Sequence, residues 1–191
     1  ELDSTTYVIA ENAYLSSNCD KATRDFTNYL KQYSKGLFTL NAHYYRADCE
    51  AKSNFNEEAI KDFEYVISQS QNKFTEKSLL ALGILYQKIN RTDDAISIYK
   101  KLEIGASRES DKKMAEKSLM KLYFKNEEFD SASAYAAIIL REEIFRISSK
   151  KTKSFGDLNS KNSLKVRGKT SIIETLPTKY WSECIASSAC D

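Results

Sequence analysis

Four short stretches of the chain resemble one another and fall at an almost constant interval. They are Lys21-Ala22-Thr23-Arg24-Asp25-Phe26, Glu58-Ala59-Ile60-Lys61-Asp62-Phe63, Asp94-Ala95-Ile96-Ser97-Ile98-Tyr99 and Ser131-Ala132-Ser133-Ala134-Tyr135-Ala136. Their alanines, Ala22, Ala59, Ala95 and Ala132, are separated by 37, 36 and 37 residues. A period of that length marks one supersecondary unit per repeat. A single unit cannot bury its own apolar face, so the units must stack into an array.

The unit itself is helical. Residues 1–145 hold three Gly and no Pro, which disfavours β-sandwiches, barrels and Gly-rich phosphate loops. In the clearest unit Leu79, Leu82, Leu85, Tyr86 and Ile89 recur at helical spacing and form one apolar face. Asn90-Arg91-Thr92-Asp93 then breaks the helix, with Asp93 the expected N-cap. The second helix presents Ala95, Ile96, Tyr99 and Leu102. Each unit is thus a helix-turn-helix hairpin, and the hairpins are expected near residues 5–32, 40–69, 76–104 and 113–141. The short anchor side chain lets two helices approach, and an aromatic four residues later fills the neighbouring groove.

At these residues the chain resembles the tetratricopeptide-repeat family, whose pattern is L-G-x-x-Y followed by A-x-x-x-F. Leu82-Gly83-x-x-Tyr86 with Ala95-x-x-x-Tyr99 matches both halves, while Ala22 with Phe26 and Ala59 with Phe63 match the second. Tyr123 and Ala132 are the packing pair of the last unit. Departures are Arg46, Ala47 and Glu50 in place of L, G and Y, and Ala136 in place of the last aromatic. The resemblance implies an all-α fold: a right-handed α-solenoid of about four hairpins over residues 1–145, with an irregular tail. Phe26–Gly36 followed by Asn41-Ala42-His43-Tyr44-Tyr45 also resembles bacterial cell-envelope repeat proteins, the periplasmic coordinators of outer-membrane constriction, with Ser34 where they carry Pro. That narrower resemblance implies a periplasmic or envelope location, the cytoplasm being the alternative.

Residues 146–191 break the pattern. They hold the only Pro (Pro177), the only Trp (Trp181) and nine basic against four acidic residues. Lys169 stands where the period requires another anchor alanine. Two readings result: a flexible or irregular extension, or the product of a frameshift near residues 143–147, since an alternative frame permits a further repeat helix. The four cysteines, Cys19, Cys49, Cys184 and Cys190, fit no zinc spacing, and they are too sparse for a disulfide scaffold, so free thiols are expected.

Little in the chain points to catalysis. The lone His43 supports no triad and reads as a packing or surface residue. Ser163–Thr170 resembles the end of a phosphate loop but lacks its first Gly and a preceding strand. Asn90-Arg91-Thr92 is a glycosylation sequon, relevant only to a eukaryotic secretory protein. Carboxylates spread over helix faces give no metal spacing. With 29 basic and 27 acidic residues, no nucleic-acid partner is suggested, and no apolar run is long enough to cross a membrane. The expectation is a non-enzymatic scaffold without cofactor or metal, binding a protein or peptide. Lys117, Lys121 and Lys125 share one helix face, and Lys52, Lys88 and Lys125 each stand seven residues before an anchor. In the family the first helices line a concave groove. The resemblance therefore makes Tyr44, Asp48, Lys52, Lys88, Lys117, Lys121 and Lys125 groove candidates for an acidic ligand. Alternatively, Ile138, Ile139, Leu140, Ile144 and Phe145 form an apolar end through which the chain self-associates as an envelope assembly subunit.

Overall fold

In the computed structural model of the chain, residues 2–159 are described, and they form eight α-helices with no strand among them. The helices are α1 (Leu2–Leu15), α2 (Cys19–Gln32), α3 (Thr39–Lys52), α4 (Asn56–Ser68), α5 (Thr75–Lys88), α6 (Thr92–Gly105), α7 (Glu109–Lys125) and α8 (Phe129–Asn159). From α1 to α7 each helix packs on the next in the chain, and α1 also touches α3. The result is an open array of antiparallel hairpins, α1–α2 to α7–α8, in which non-sequential contacts are few.

The turns inside the hairpins are copies of one another. Ser17, Asn54, Asn90 and Glu127 adopt positive φ angles of 58°, 65°, 60° and 61°, and they recur at the repeat interval. At each turn the next N–H bonds to the carbonyl five residues back: Asn18 to Ala13, Phe55 to Glu50, Arg91 to Tyr86 and Glu128 to Tyr123. This is the Schellman closure of a helix end. Only three residues separate the two helices at each turn, so the next helix starts at once. The anchor alanines then close its first turn, each donating to the carbonyl of the residue at Asn18, Phe55, Arg91 or Glu128. For that reason α6 begins at Thr92 and its cap is Arg91, not Asp93. Asp93 instead lies in the first turn, where a negative charge faces the exposed N–H groups.

The core is built from small-against-large pairs. Ala10, Ala47 and Gly83 occupy equivalent places on the first helices, and Phe26, Phe63 and Tyr99 on the second; all six are buried. In the last hairpin the sizes are exchanged, Met120 standing where Gly83 does and Ala136 where Tyr99 does. The missing aromatic at Ala136 is therefore matched by a larger residue across the register. Ala22, Ala59, Leu82, Tyr86, Ala95, Tyr123 and Ala132 are also buried.

The apolar core divides in two. One cluster runs through the second to fourth hairpins, from Ala47 to Ala132. The other holds the first hairpin with Ala42 and Cys49 of α3. At this junction Cys19, the first residue of α2, is bonded to Cys49 as a disulfide, with the Cα atoms 5.0 Å apart. This corrects the expectation of free thiols for these two residues. The 30-residue separation carries no pairing signal; only the stacking of α2 on α3 brings the sulfurs together. Cys184 and Cys190 lie outside the described residues.

The compact unit that holds the repeat array ends at Arg146. Residues 146–159 are helical, as the end of α8, where the irregular tail was expected to begin. No Pro interrupts residues 141–159 and only Gly156 weakens them, so nothing local ends the helix there. The phosphate-loop resemblance and most of the stretch read as a frameshift product lie outside the described residues.

Candidate functional site

The repeat register sets out equivalent positions along the first helices. Tyr7 and Glu11 on α1, Tyr44 and Asp48 on α3, Leu80 and Ile84 on α5, and Lys117 and Lys121 on α7 are equivalent pairs. From the first hairpin to the last the positions therefore change from aromatic and acidic, through aliphatic, to basic.

The structure separates the seven groove candidates into two groups. Five are engaged in joining neighbouring repeats, Lys52 through its ammonium 5.4 Å from the Tyr14 ring centroid. Tyr44 stacks on Phe74 with ring centroids 4.2 Å apart, as Tyr7 stacks on Phe38 at 4.4 Å one repeat earlier. Asp48 accepts from the Tyr14 hydroxyl at 2.8 Å and from the Lys52 ammonium at 2.6 Å. Burial, and then this carboxylate, push the Tyr14 hydroxyl well above the ordinary phenol range. Lys88 donates to Asn54 Oδ1 at 2.6 Å, and Lys125 to Asn90 Oδ1 at 3.1 Å. Both acceptors are left-handed turn residues of the preceding repeat. The lysine ladder legible in the sequence is thus a ladder of repeat-to-repeat clips. Lys117 and Lys121 make no such bond among the described residues and are exposed. At 100° per residue they share a face about 100° wide with Met114, Phe124 and Lys125. Met114 is 44% exposed and Phe124 46%, so this face offers apolar surface beside its ammonium groups.

A second cluster was not legible in the sequence. Arg46 Nε and Nη2 donate to Asp62 at 2.6 and 2.7 Å, and Nη1 donates to Thr27 of the first hairpin at 3.1 Å. His43 Nδ1 lies 2.8 Å from the same Asp62 carboxylate, and the imidazole packs on Tyr65 at 3.9 Å. Burial works to raise the Asp62 carboxyl, but the hydrogen bonds from Arg46 and His43 outweigh it and hold the carboxyl below the usual range. Glu50, 7% exposed, lies beside the group, 3.8 Å from Arg46, and its Oε2 has no hydrogen-bond partner among the described residues. Burial, reinforced by the Asp62 charge, pushes the Glu50 carboxyl up to about 7. Arg46 and Glu50 are the departures from the repeat pattern noted above. The departure was the available signal; the partners, 16 and 19 residues away on α4 and α2, were not. Among the described residues no group of three or more metal-binding side chains lies together, and no helix is long and apolar enough to cross a membrane.

No protein-family model and no curated protein matches the chain. Solved structures do resemble it. MamA superposes with a TM-score of 0.58 at 16% identity, over 76% of this chain and 81% of that one. A putative kinesin light chain from Podosopora anserina, described as carrying nearly identical TPR-like repeats, gives 0.56 at 14% identity, over 78% and 76%. BtubC (BKLC) from P. vanneervenii gives 0.53 at 15% identity, over 92% and 71%. At such identities the likeness is one of fold, and it agrees with the repeated hairpin, its closing turn and its small-against-aromatic packing. The chain has the fold of a tetratricopeptide-like helical repeat array.

Proposed function

We propose that the array is a non-catalytic interaction scaffold that holds an acidic segment of a partner protein against the exposed face of α7. A stacked-hairpin array presents an extended surface suited to docking a chain. The observation that carries the reading is the pair Lys117 and Lys121, exposed and without an acceptor among the described residues, where the equivalent pairs are Tyr7 with Glu11, Tyr44 with Asp48 and Leu80 with Ile84. Two free ammonium groups favour carboxylates. Met114 and Phe124 on the same face, with Ile84 at 53% exposure on α5, favour an apolar residue beside the charges.

The test is fluorescence anisotropy with a labelled Asp/Glu peptide containing Leu or Phe, against the same peptide with Lys in place of its acids. The acidic probe should bind more tightly, and its affinity should fall with salt. Charge reversal at both lysines (Lys117→Glu with Lys121→Glu) should weaken it about tenfold, about 1.4 kcal/mol, with an unchanged circular dichroism spectrum. Equal affinity of the two peptides, or of the two proteins, rejects the assignment.

A second reading is self-association. Ile138 and Leu140 on α8 are 40% and 48% exposed, and Ile144 is 59% exposed. Sedimentation over a concentration series tests it; a strict monomer at high concentration counts against an assembly subunit built on this face.

A further inference from the structure

The apolar core divides at α3. Ala42 and Cys49 of α3 belong with the first hairpin, whereas Ala47 belongs to the cluster that runs on to the fourth. Beside that apolar contact, the first hairpin meets the second through polar and aromatic groups. Asn41 donates to Tyr7 at 3.3 Å, Tyr14 to Asp48 at 2.8 Å, the Leu37 N–H to Asp3 at 3.1 Å and Arg46 to Thr27 at 3.1 Å. Tyr7 stacks on Phe38, and the Tyr14 ring packs tilted against Tyr45. Water replaces hydrogen bonds of this kind at small net cost when a surface opens. The Cys19–Cys49 bond lies in the same junction, between the start of α2 and the buried face of α3.

We propose that the Cys19–Cys49 disulfide is a redox latch that holds the first hairpin in register on the second, and that exchange with a dithiol reductant releases that hairpin. Cys49 is fully buried, whereas Cys19 is partly exposed at the helix start, so Cys19 Sγ is the sulfur within reach of an attacking thiolate. A new S–S bond forms between reductant and Cys19 as the Cys19–Cys49 bond breaks, and Cys49 leaves as a thiolate that takes up a proton. The second thiol of the reductant then attacks the mixed disulfide and frees Cys19. Two electrons pass to the protein disulfide, and the reductant leaves as its own disulfide. With an oxidised dithiol in excess the exchange runs in reverse whenever α2 stacks again on α3, the packing that places the two Cα atoms 5.0 Å apart in the bonded form. The latch also governs the Tyr14–Asp48–Lys52 contact, so the face of the first two hairpins is fixed only in the oxidised form.

The test uses the full chain with Cys184→Ser and Cys190→Ser, so that only this pair responds. Peptide mapping without reduction should recover Cys19 and Cys49 linked. Hydrogen exchange followed by mass spectrometry, with and without dithiothreitol, should then show α1 and α2 amides exchanging faster on reduction. The gain is at most roughly 500-fold, the loop-closure limit for a bridge of this span. Amides of α4 to α7 should be little affected. The Cys19→Ser variant, altered only at the partly exposed position, should reproduce the reduced pattern and ignore the reductant. Failure to recover the linked peptide overturns the proposal, as does exchange in α1–α2 that is indifferent to reductant. A rise spread evenly over all helices also overturns it, because that is general destabilisation, not release of one hairpin.

Discussion

Replacing Gly83 by Ala separates helix propensity from packing, because the two act in opposite directions. Gly83 lies inside α5, where Ala is favoured over Gly by about 1 kcal/mol. If local preference governed, Gly83→Ala would stabilise the protein. The structure argues otherwise. A Cβ at this position would stand 2.5 Å from Tyr99 Cζ and 2.7 and 2.8 Å from the two Cε atoms. Carbon atoms pack at about 3.5–4.0 Å, so the ring must retreat by about 1 Å. It has little room, since Tyr99 is 1% exposed and its hydroxyl accepts from Gln87 Nε2 at 2.7 Å. Overpacking of this kind costs about 1–3 kcal/mol, and a lost hydrogen bond about 0.5–1.5 kcal/mol more. Set against the propensity gain, the expected net loss is about 2 kcal/mol, or roughly 4–8 °C in Tm for a chain of this size. Thermal and urea unfolding of four proteins, the wild type, Gly83→Ala, Tyr99→Leu and the double variant, measure it. In the Tyr99→Leu background the ring is gone, so Gly83→Ala should become neutral or stabilising. The difference between the two backgrounds is the coupling between these side chains. A Gly83→Ala protein as stable as the wild type, or equal effects in both backgrounds, would refute the reasoning.

Two further outcomes follow from single residues. Glu50, facing Arg46 on its own helix and Asp62 and Glu58 on α4, is raised to about 7, so the folded state holds a proton that the unfolded state has lost. Its contribution is intact below about pH 4.5 and is lost as pH rises through about 7, and Glu50→Gln should recover about 1–2 kcal/mol at pH 8, with little gain at pH 5, in urea titrations at both values. Glu127 holds a left-handed φ of 61° that suits glycine, and it makes no described hydrogen bond from its side chain to repay the strain. Glu127→Gly should therefore raise stability by about 0.5–1 kcal/mol, whereas Asn90→Gly, which also deletes the acceptor of Lys125, should gain less in the same unfolding assay.

The sequence by itself determined the fold class. A period of 36 or 37 residues, helical spacing within each unit and the near absence of Gly and Pro leave stacked helical hairpins as the solution. These are local properties, repeated, so they are readable one unit at a time. The basic residues of α7 were legible for the same reason. Helix ends were less so: Asp93 has the chemistry of a cap, but the closing turn at Asn90 places the helix start before it. Contacts between units were decided only in three dimensions. Nothing in the order of residues says that Lys88 meets Asn54, that Arg46 meets both Asp62 and Thr27, or that Cys19 meets Cys49. Those pairings depend on how far each hairpin is rotated on the last, which is set by the packing of whole side-chain layers. The same stacking divided the lysines, setting Lys52 over the Tyr14 ring, bonding Lys88 and Lys125 to the preceding turns, and leaving Lys117 and Lys121 exposed.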